Sequence, residues 1–292
     1  MDIAYSRSHA DARRMDLFAP DRPNGCAILF IHGGAWKGGS RDQWHPAARH
    51  FCDRGYACAS VTYRLVPAAL FPAQVEDARL AMAYLRARAR DLGFDPRRVA
   101  ALGSSAGGHL AALLATIPPG DPLGMTEELA ALGPPDTRPD AAIGYCPVTT
   151  LHDADFGPPI PDDPIRALMG GPEAEAPPRY RAASPIDRVT GREPPFLLVH
   201  GEADDLVPAR HSEAMHRRLR AAGARSRLVL LPGVGHGFGY GTDAPAQRAA
   251  ICAVEDFLGE VFAADPAQTV PDEARPGRLT PATGTRPSGC PP

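Results

Sequence analysis

The sequence predicts an α/β fold in which a doubly wound, mostly parallel sheet is flanked by helices, with a small cap or loop excursion. Continuous apolar runs of strand length alternate with helical patterns along most of the chain, as expected for parallel strands covered on both faces. One of these strands leads directly into a glycine-flanked turn and a helix. In such sheets, sites lie at the carboxyl ends of the strands.

Length and charge narrow the class of protein. The 292 residues carry 31 Lys and Arg against 34 Asp and Glu, a net charge of -3, which argues against nucleic acid or an anionic membrane as the main partner. The polar residues 1–7 do not resemble a secretory signal, so we expect a cytoplasmic protein. The six cysteines show no C-x-x-C spacing, and we expect most to be reduced core residues.

The chain divides into one large domain and a tail. We expect the domain to occupy residues 1–262, with a small cap or loop excursion at 147–195, where Pro, Asp and Gly are frequent and 165–169 is the main helical patch. Residues 263–292 are rich in Pro and Gly and poor in apolar side chains, so disorder is expected there. The sequence leaves homodimerisation open.

The amino-terminal part supplies the first strands. Residues 13–18 alternate polar and apolar side chains and predict an edge strand of a mixed sheet. The apolar runs 26–31 and 57–63 predict strands covered on both faces. Pro72 opens a helix with apolar residues at helical spacing, and Asp95-Pro96 is expected to break the chain before the next strand.

The rest of the domain continues the alternation of strands and helices. The predicted helices are 105–116, 208–222 and 245–262, and the predicted strands are 98–104, 141–146, 196–199 and 227–231.

The motif G-x-S-x-G at residues 103–107 is the main candidate for chemistry. In a strand–turn–helix context it forces Ser105 into a strained turn, so that the hydroxyl stands above the carboxyl edge of the sheet. Gly103 and Gly107 are needed because a Cβ there would collide with the adjoining strand and helix. The alternative is a glycine-rich turn without chemistry.

A serine nucleophile needs a base and a group that orients the base. Asp204 and His236 follow the predicted strands 196–199 and 227–231, so both would reach the same rim as Ser105. Asp205 is the alternative acid. The rival histidines, His32, His109 and His200, are interpreted as structural.

Backbone amides at two turns would complete an acyl-transfer site. The N–H groups of Gly33 and Gly34, which follow a predicted strand, can converge with that of Ala106 on a carbonyl oxygen, although a plain glycine turn is the alternative. Trp36 would wall a substrate pocket, or else serve only in packing.

With these residues identified, the chain resembles the α/β-hydrolase superfamily over about residues 13–262. The similarity is to its lid-poor esterase branch, which includes hormone-sensitive-lipase-like, feruloyl-esterase-like and kynurenine-formamidase-like proteins. It rests on I-H-G-G-A-W (31–36), V-T-Y-R-L (61–65), F-P-A-Q-V-E-D (71–77), G-S-S-A-G-G-H-L (103–110), S-P-I (184–186), H-G-E-A-D (200–204) and G-H-G-F (235–238).

The resemblance implies Ser105 as nucleophile, Asp204 as acid and His236 as base, with an oxyanion hole formed by the amides of Gly33, Gly34 and Ala106. Two departures from the pattern of hormone-sensitive-lipase-like enzymes bear on which group of this branch the chain resembles. H-G-G-A-W replaces the H-G-G-G of hormone-sensitive-lipase-like enzymes, which favours the other two groups, and no long amino-terminal helical cap is seen, which implies an open site.

The hypothesis that follows is a serine esterase for short-acyl, aryl or sugar esters. It would need no cofactor or metal, because the chain has no H-E-x-x-H motif or clustered His and Cys spacing. A small-molecule ester is the expected partner. An arylformamidase or other amidase with the same triad, and a non-catalytic binding protein with a hydrolase fold, are the alternatives.

Overall fold

The computed structural model describes residues 2–132, 136–152 and 162–263. Its centre is an eight-stranded sheet with the order β1-β2-β4-β3-β5-β6-β7-β8. β2 pairs antiparallel with β1 and β4, and the remaining pairs are parallel, so the predicted doubly wound sheet is confirmed. The strands are β1 (Asp2–Ala4), β2 (Arg14–Phe18), β3 (Gly25–Ile31), β4 (Ala57–Val61), β5 (Phe94–Ser104), β6 (Ala141–Tyr145), β7 (Phe196–Gly201) and β8 (Ser226–Leu231).

Helices flank the sheet. They are α1 (His45–Cys52), α2 (Ala73–Ala87), α3 (Ala89–Leu92), α4 (Ala106–Thr116), α5 (Glu127–Ala131), α6 (Asp162–Met169), α7 (Pro177–Ala183), α8 (Arg210–Ala221) and α9 (Pro245–Val261). Alternate residues of β3 enter two separate apolar clusters. Leu29 belongs to the cluster that contains Leu113 of α4, whereas Phe30 belongs to the one that contains Phe51 of α1 and Val254 of α9. The continuous apolar run of β3 therefore reflects burial on both faces.

Two sequence predictions about strands were wrong. β2 is not the edge of the sheet, because β1 lies outside it and Ile3 pairs with Met15. A strand of three residues is too short to show a periodic pattern. Asp95-Pro96 does not break the chain before β5 either. The strand runs through it, with a shift of register in which residues 95–98 lie opposite Cys26 alone.

The predicted excursion at 147–195 contains helices in its described part. α6 includes the predicted patch 165–169, and α7 was not predicted. The stretch 153–161 and the predicted tail beyond residue 263 lie outside the described residues. Among the residues that the structure does describe, no helix combines the length and apolarity needed to cross a bilayer.

A buried carboxylate fixes the chain where it leaves β4. Asp77 of α2 is fully buried and accepts hydrogen bonds from the Arg64 amide at 2.7 Å and from the Arg13 Nε at 2.6 Å. The Arg64 guanidinium also reaches Glu76, at 2.6 Å. Arg64 of the motif at 61–65 and the Glu76–Asp77 end of the motif at 71–77 therefore join α2 to the loop after β4.

Candidate active site

Ser105 lies at the sharp turn between β5 and α4. Its backbone has φ 55° and ψ -118°, in the left-handed half of φ space that side chains other than glycine rarely occupy. The Ser105 amide donates to the carbonyl of Tyr145, at the end of β6, at 2.8 Å. The strained turn holds the serine at the carboxyl edge of the sheet, between the strand and the first turn of α4.

The two glycines of the motif are required by close backbone approaches. A Cβ on Gly103 would lie 2.1 Å from the carbonyl oxygen of Gly107 in α4. A Cβ on Gly107 would lie 2.1 Å from the carbonyl oxygen of Ile31 in β3. The predicted collisions with helix and strand are thus present, and any larger residue would push the serine turn out of place.

The structure brings Ser105, His236 and Asp204 into one chain of hydrogen bonds. The Ser105 Oγ donates to Nε2 of His236 at 3.1 Å, and Nδ1 of the same ring donates to Oδ2 of Asp204 at 2.7 Å. Because the carboxylate only accepts, the proton of a neutral ring is held on Nδ1, and Nε2 is left with its lone pair toward the hydroxyl. Asp205, the alternative acid, is exposed.

The surroundings of Asp204 keep its carboxyl group ionised. Burial raises the pKa of Asp204, but hydrogen bonds from His200, His236 and the Val207 amide outweigh burial and hold the pKa well below its ordinary value. Oδ1 accepts from the amides of Leu206 at 3.1 Å and Val207 at 2.8 Å. The acid is therefore both charged and fixed in position.

The charge on Asp204 acts on His236 in turn. Burial lowers the pKa of His236, but the hydrogen bond and negative charge of Asp204, together with a hydrogen bond to Cys146, outweigh burial, so the pKa lies above its ordinary value of 6.5. A ring of this kind accepts a proton readily, as a base must.

The three rival histidines are structural. All are fully buried, and each donates a ring N–H to a backbone carbonyl at 2.7 Å. Burial lowers the pKa values of His32 and His109 to about 4, so both rings are neutral near pH 7. The pairs are His32 with Gly33, His109 with Ala183 and His200 with Val207.

The three amides predicted to form the oxyanion hole differ in their hydrogen-bond partners. The Gly33 amide donates to the Tyr240 hydroxyl at 2.6 Å, so this amide already has an acceptor within the protein. The amides of Gly34 and Ala106 have no acceptor among the described residues. Gly34 has φ 112° and the following Ala35 has φ 54°, so the chain turns sharply away from β3 at this point. Of the three expected donors, Gly34 and Ala106 are the two without an acceptor among the described residues, and the role of Gly33 stays a prediction.

Trp36 does not form an open pocket wall. Its side chain is 1% exposed and belongs to the main apolar core. The ring meets that of His109 edge to face, with the centroids 5.1 Å apart. The packing interpretation of Trp36 is therefore the one that its burial favours, and the expectation of a substrate contact is not supported.

Two neighbours of the triad were missed at the sequence level. Tyr240 follows His236 by four residues, and nothing in G-H-G-F-G-Y distinguishes its hydroxyl from an exposed one. Cys146 is the last residue of an apolar run and looked like core, yet its Sγ lies within 4.8 Å of the ligand atoms of Asp204 and His236. Only the meeting of the ends of β6, β7 and β8 reveals this contact.

The chain matches the models of two known families. The model of the BD-FAE family matches residues 15–219, more than two thirds of the chain. The chain belongs to the BD-FAE family. The BD-FAE match contains Ser105 and Asp204, and His236 falls within a second match, of the dienelactone hydrolase family, at residues 176–263. The esterase-like α/β-hydrolase resemblance predicted from the motifs is confirmed.

Several of the individual proteins to which this chain is similar are named as esterases or ester hydrolases. Two relatives from Mycobacterium tuberculosis, the probable carboxylic ester hydrolase LipM and the esterase LipQ, are each 34% identical, over 94% and 86% of this chain. The chain spans 64% and 58% of the lengths of these two relatives. Thermogutta terrifontis esterase 2, solved as its tabun adduct, is 27% identical with a TM-score of 0.76, covering 91% of this chain and 96% of that one.

Proposed function

We propose that this protein hydrolyses carboxylic esters through an acyl-enzyme formed on Ser105. The observation that carries the proposal is the relay in which one ring of His236 binds the Ser105 hydroxyl at 3.1 Å and the Asp204 carboxylate at 2.7 Å. This is the arrangement that turns an alcohol into a nucleophile at neutral pH. The esterase names of the relatives support the same reaction.

In the first half-reaction, Ser105 Oγ attacks the ester carbonyl while its proton passes to Nε2 of His236. The ionised Asp204 stabilises the imidazolium that forms. The carbonyl oxygen becomes an oxyanion, for which the free amides of Gly34 and Ala106 are the available donors. Nε2 then returns its proton to the leaving alcohol, the C–O bond breaks, and the acyl group stays on Ser105.

In the second half-reaction, water takes the place of the alcohol. Nε2 of His236 accepts a proton from the water, which attacks the acyl carbonyl and forms a second oxyanion. Collapse of this intermediate breaks the bond to Ser105 Oγ, which recovers its proton from Nε2, and the carboxylic acid leaves. Each catalytic group returns to its starting protonation state.

Short acyl groups are the proposed substrates, as esters of small, aryl or sugar alcohols. Thermogutta terrifontis esterase 2 has been solved with butyrate and with propionate bound, which supports a small acyl site in this fold. The test is a panel of p-nitrophenyl esters from acetate to longer chains, with S105A as the control. The proposal expects the highest kcat/KM on short chains, and activity equal in S105A and the wild type would overturn it.

The same assay separates esters from formamides. N-formylkynurenine and phenyl acetate both carry an aromatic ring, but the first offers the nucleophile an amide bond and the second offers it an ester bond. We expect kcat/KM to be higher for the ester, because an alcohol leaves more readily than an amine. A higher kcat/KM for N-formylkynurenine would assign the site to amide hydrolysis instead.

A further inference from the structure

A buried thiol lies beside the proposed base and takes part in no bond-making or proton-transfer step of the mechanism above. Cys146 follows β6, is fully buried and is a free thiol. Its φ of 38° is unusual for a residue with a side chain, so the backbone is strained at this position. The turn places Sγ within 4.8 Å of the ligand atoms of Asp204 and His236.

These three side chains form a donor set of a particular kind. A thiolate, an imidazole and a carboxylate are the groups that bind Zn²⁺ in proteins, at roughly 2.0–2.3 Å from the metal. Ligands at the corners of such a tetrahedron lie roughly 3.3–3.8 Å apart. Since Cys146, Asp204 and His236 already lie within 4.8 Å of one another, side-chain adjustments alone would bring them to that spacing.

The site is also reachable and only partly enclosed. The His236 side chain is 18% exposed, whereas those of Asp204 and Cys146 are buried. A cation entering past the imidazole would meet the carboxylate and the thiol on its protein side. Its fourth position would face solvent and take a water molecule.

We propose that Cys146, Asp204 and His236 form an inhibitory site for a borderline-soft divalent cation such as Zn²⁺. Binding of the metal depends only on these three side chains, whereas its effect on hydrolysis rests on the function proposed above. The site is not a cofactor site, since the hydrolytic steps derived for Ser105 use the same imidazole that the metal would occupy.

The positions of the protons on Cys146 and His236 explain why a bound metal would inhibit hydrolysis. The Cys146 thiol gives up its proton to solvent as it becomes a ligand, and the neutral imidazole keeps one proton on the nitrogen away from the metal. A metal on Nε2 occupies the lone pair that faces Ser105. A metal on Nδ1 forces the proton onto Nε2, which then cannot accept the serine proton. Both modes remove the base.

The first experiment measures binding without hydrolysis. Metal-free wild type, S105A, C146A and C146S are titrated with ZnCl₂ by calorimetry and with CoCl₂ by absorbance, which reports a thiolate-to-cobalt charge-transfer band. We expect S105A to bind like the wild type, and C146A and C146S to bind at least tenfold more weakly and to lack the band. Both C146A and C146S are used, so that the test still holds if one of them misfolds. Unweakened binding in both, or no binding to the wild type, would overturn the proposal.

The second experiment measures inhibition and has a matched control. Asp16, Asp42 and His45 form another group of three possible ligands among the described residues, at a different place in the fold. We expect ZnCl₂ to inhibit ester hydrolysis by the wild type and by H45A equally, and by C146S far less, with EDTA restoring activity. Relief of inhibition in H45A but not in C146S would refute the site. Zinc binding by a metal-free wild type that has no hydrolytic activity would refute the proposed function and leave the site standing.

Discussion

The hydroxyl of Tyr240 accepts a hydrogen bond from the amide of Gly33 at 2.6 Å. This contact joins the loop that carries His236 to the end of β3, beside the serine turn. Only glycine fits at position 33, because a Cβ there would lie 2.7 Å from the same hydroxyl. The Tyr240 ring also packs on Trp44, with the centroids 4.8 Å apart. The position of the base thus depends on a residue outside the triad.

Replacing Tyr240 by Phe tests this role. Y240F keeps the ring but removes the acceptor of the Gly33 amide, so we expect the free energy of unfolding to fall by about 1 kcal/mol. We also expect kcat to fall roughly fivefold with little change in KM, because the His236 loop is held less firmly. Y84F, which removes an exposed hydroxyl bonded to Arg88, is the control for both measurements. Unchanged stability and kcat in Y240F would contradict this account of the loop.

The pH profile of kcat/KM reports the state of His236. The base must be neutral to accept a proton, and its pKa is raised above 6.5 by Asp204 and Cys146 in spite of burial. Activity should therefore be lost as the pH falls, with the midpoint of the acid limb above pH 6.5. A midpoint at or below 6.5 would show that the carboxylate does not dominate the environment of the ring.

Replacing Asp204 by Asn tests whether its carboxylate is needed to orient the ring of His236. In D204N the amide can donate to Nδ1, which places the ring proton on Nε2 and blocks its action as a base. We expect kcat to fall on the order of 10⁴-fold. D205N changes the adjacent exposed residue and should leave kcat unchanged. Equal losses in the two variants would mean that the wrong acid has been assigned.

Replacing Gly107 by alanine should destabilise the serine turn. The added Cβ would lie 2.1 Å from a β3 carbonyl, and we expect a loss of at least about 3 kcal/mol in the free energy of unfolding, measured with urea. G259A provides a matched control in α9, where nothing lies within 4 Å of the added carbon. That change should stabilise the protein by about 1 kcal/mol, since alanine favours helices. A neutral G107A would show that the close approach is absent.

The sequence predicted the parts of the fold that depend on local pattern. β3, β6 and β7 are continuous apolar runs because both of their faces are covered, and the turn at Ser105 has glycines wherever backbones touch. β1 has too few residues to show periodicity. α1 begins in H-P-A-A-R-H, a stretch whose polar residues obscured the buried Ala47, Ala48 and Phe51.

The features of the site that the sequence did not predict depend on contacts between distant segments of the chain. Nothing near Gly33 in the sequence shows that the Tyr240 hydroxyl, 207 residues later, takes its amide. Trp36 follows the H-G-G turn, yet its ring packs inward against His109. Cys146 resembles an ordinary core cysteine until the loop of His236 is placed over it. Each of these depends on which strand ends meet, which only the assembled sheet determines.

The central claim is that Ser105 is a nucleophile activated by His236, and covalent labelling tests it most directly. Wild type and S105A are incubated with a fluorophosphonate probe, and the adducts are located by intact-mass and peptide mass spectrometry. We expect one stoichiometric adduct on Ser105 in the wild type, none in S105A, and labelling at least a hundredfold slower in H236A. Labelling of S105A at the wild-type rate, or an unmodified Ser105 in folded wild type, would contradict the account.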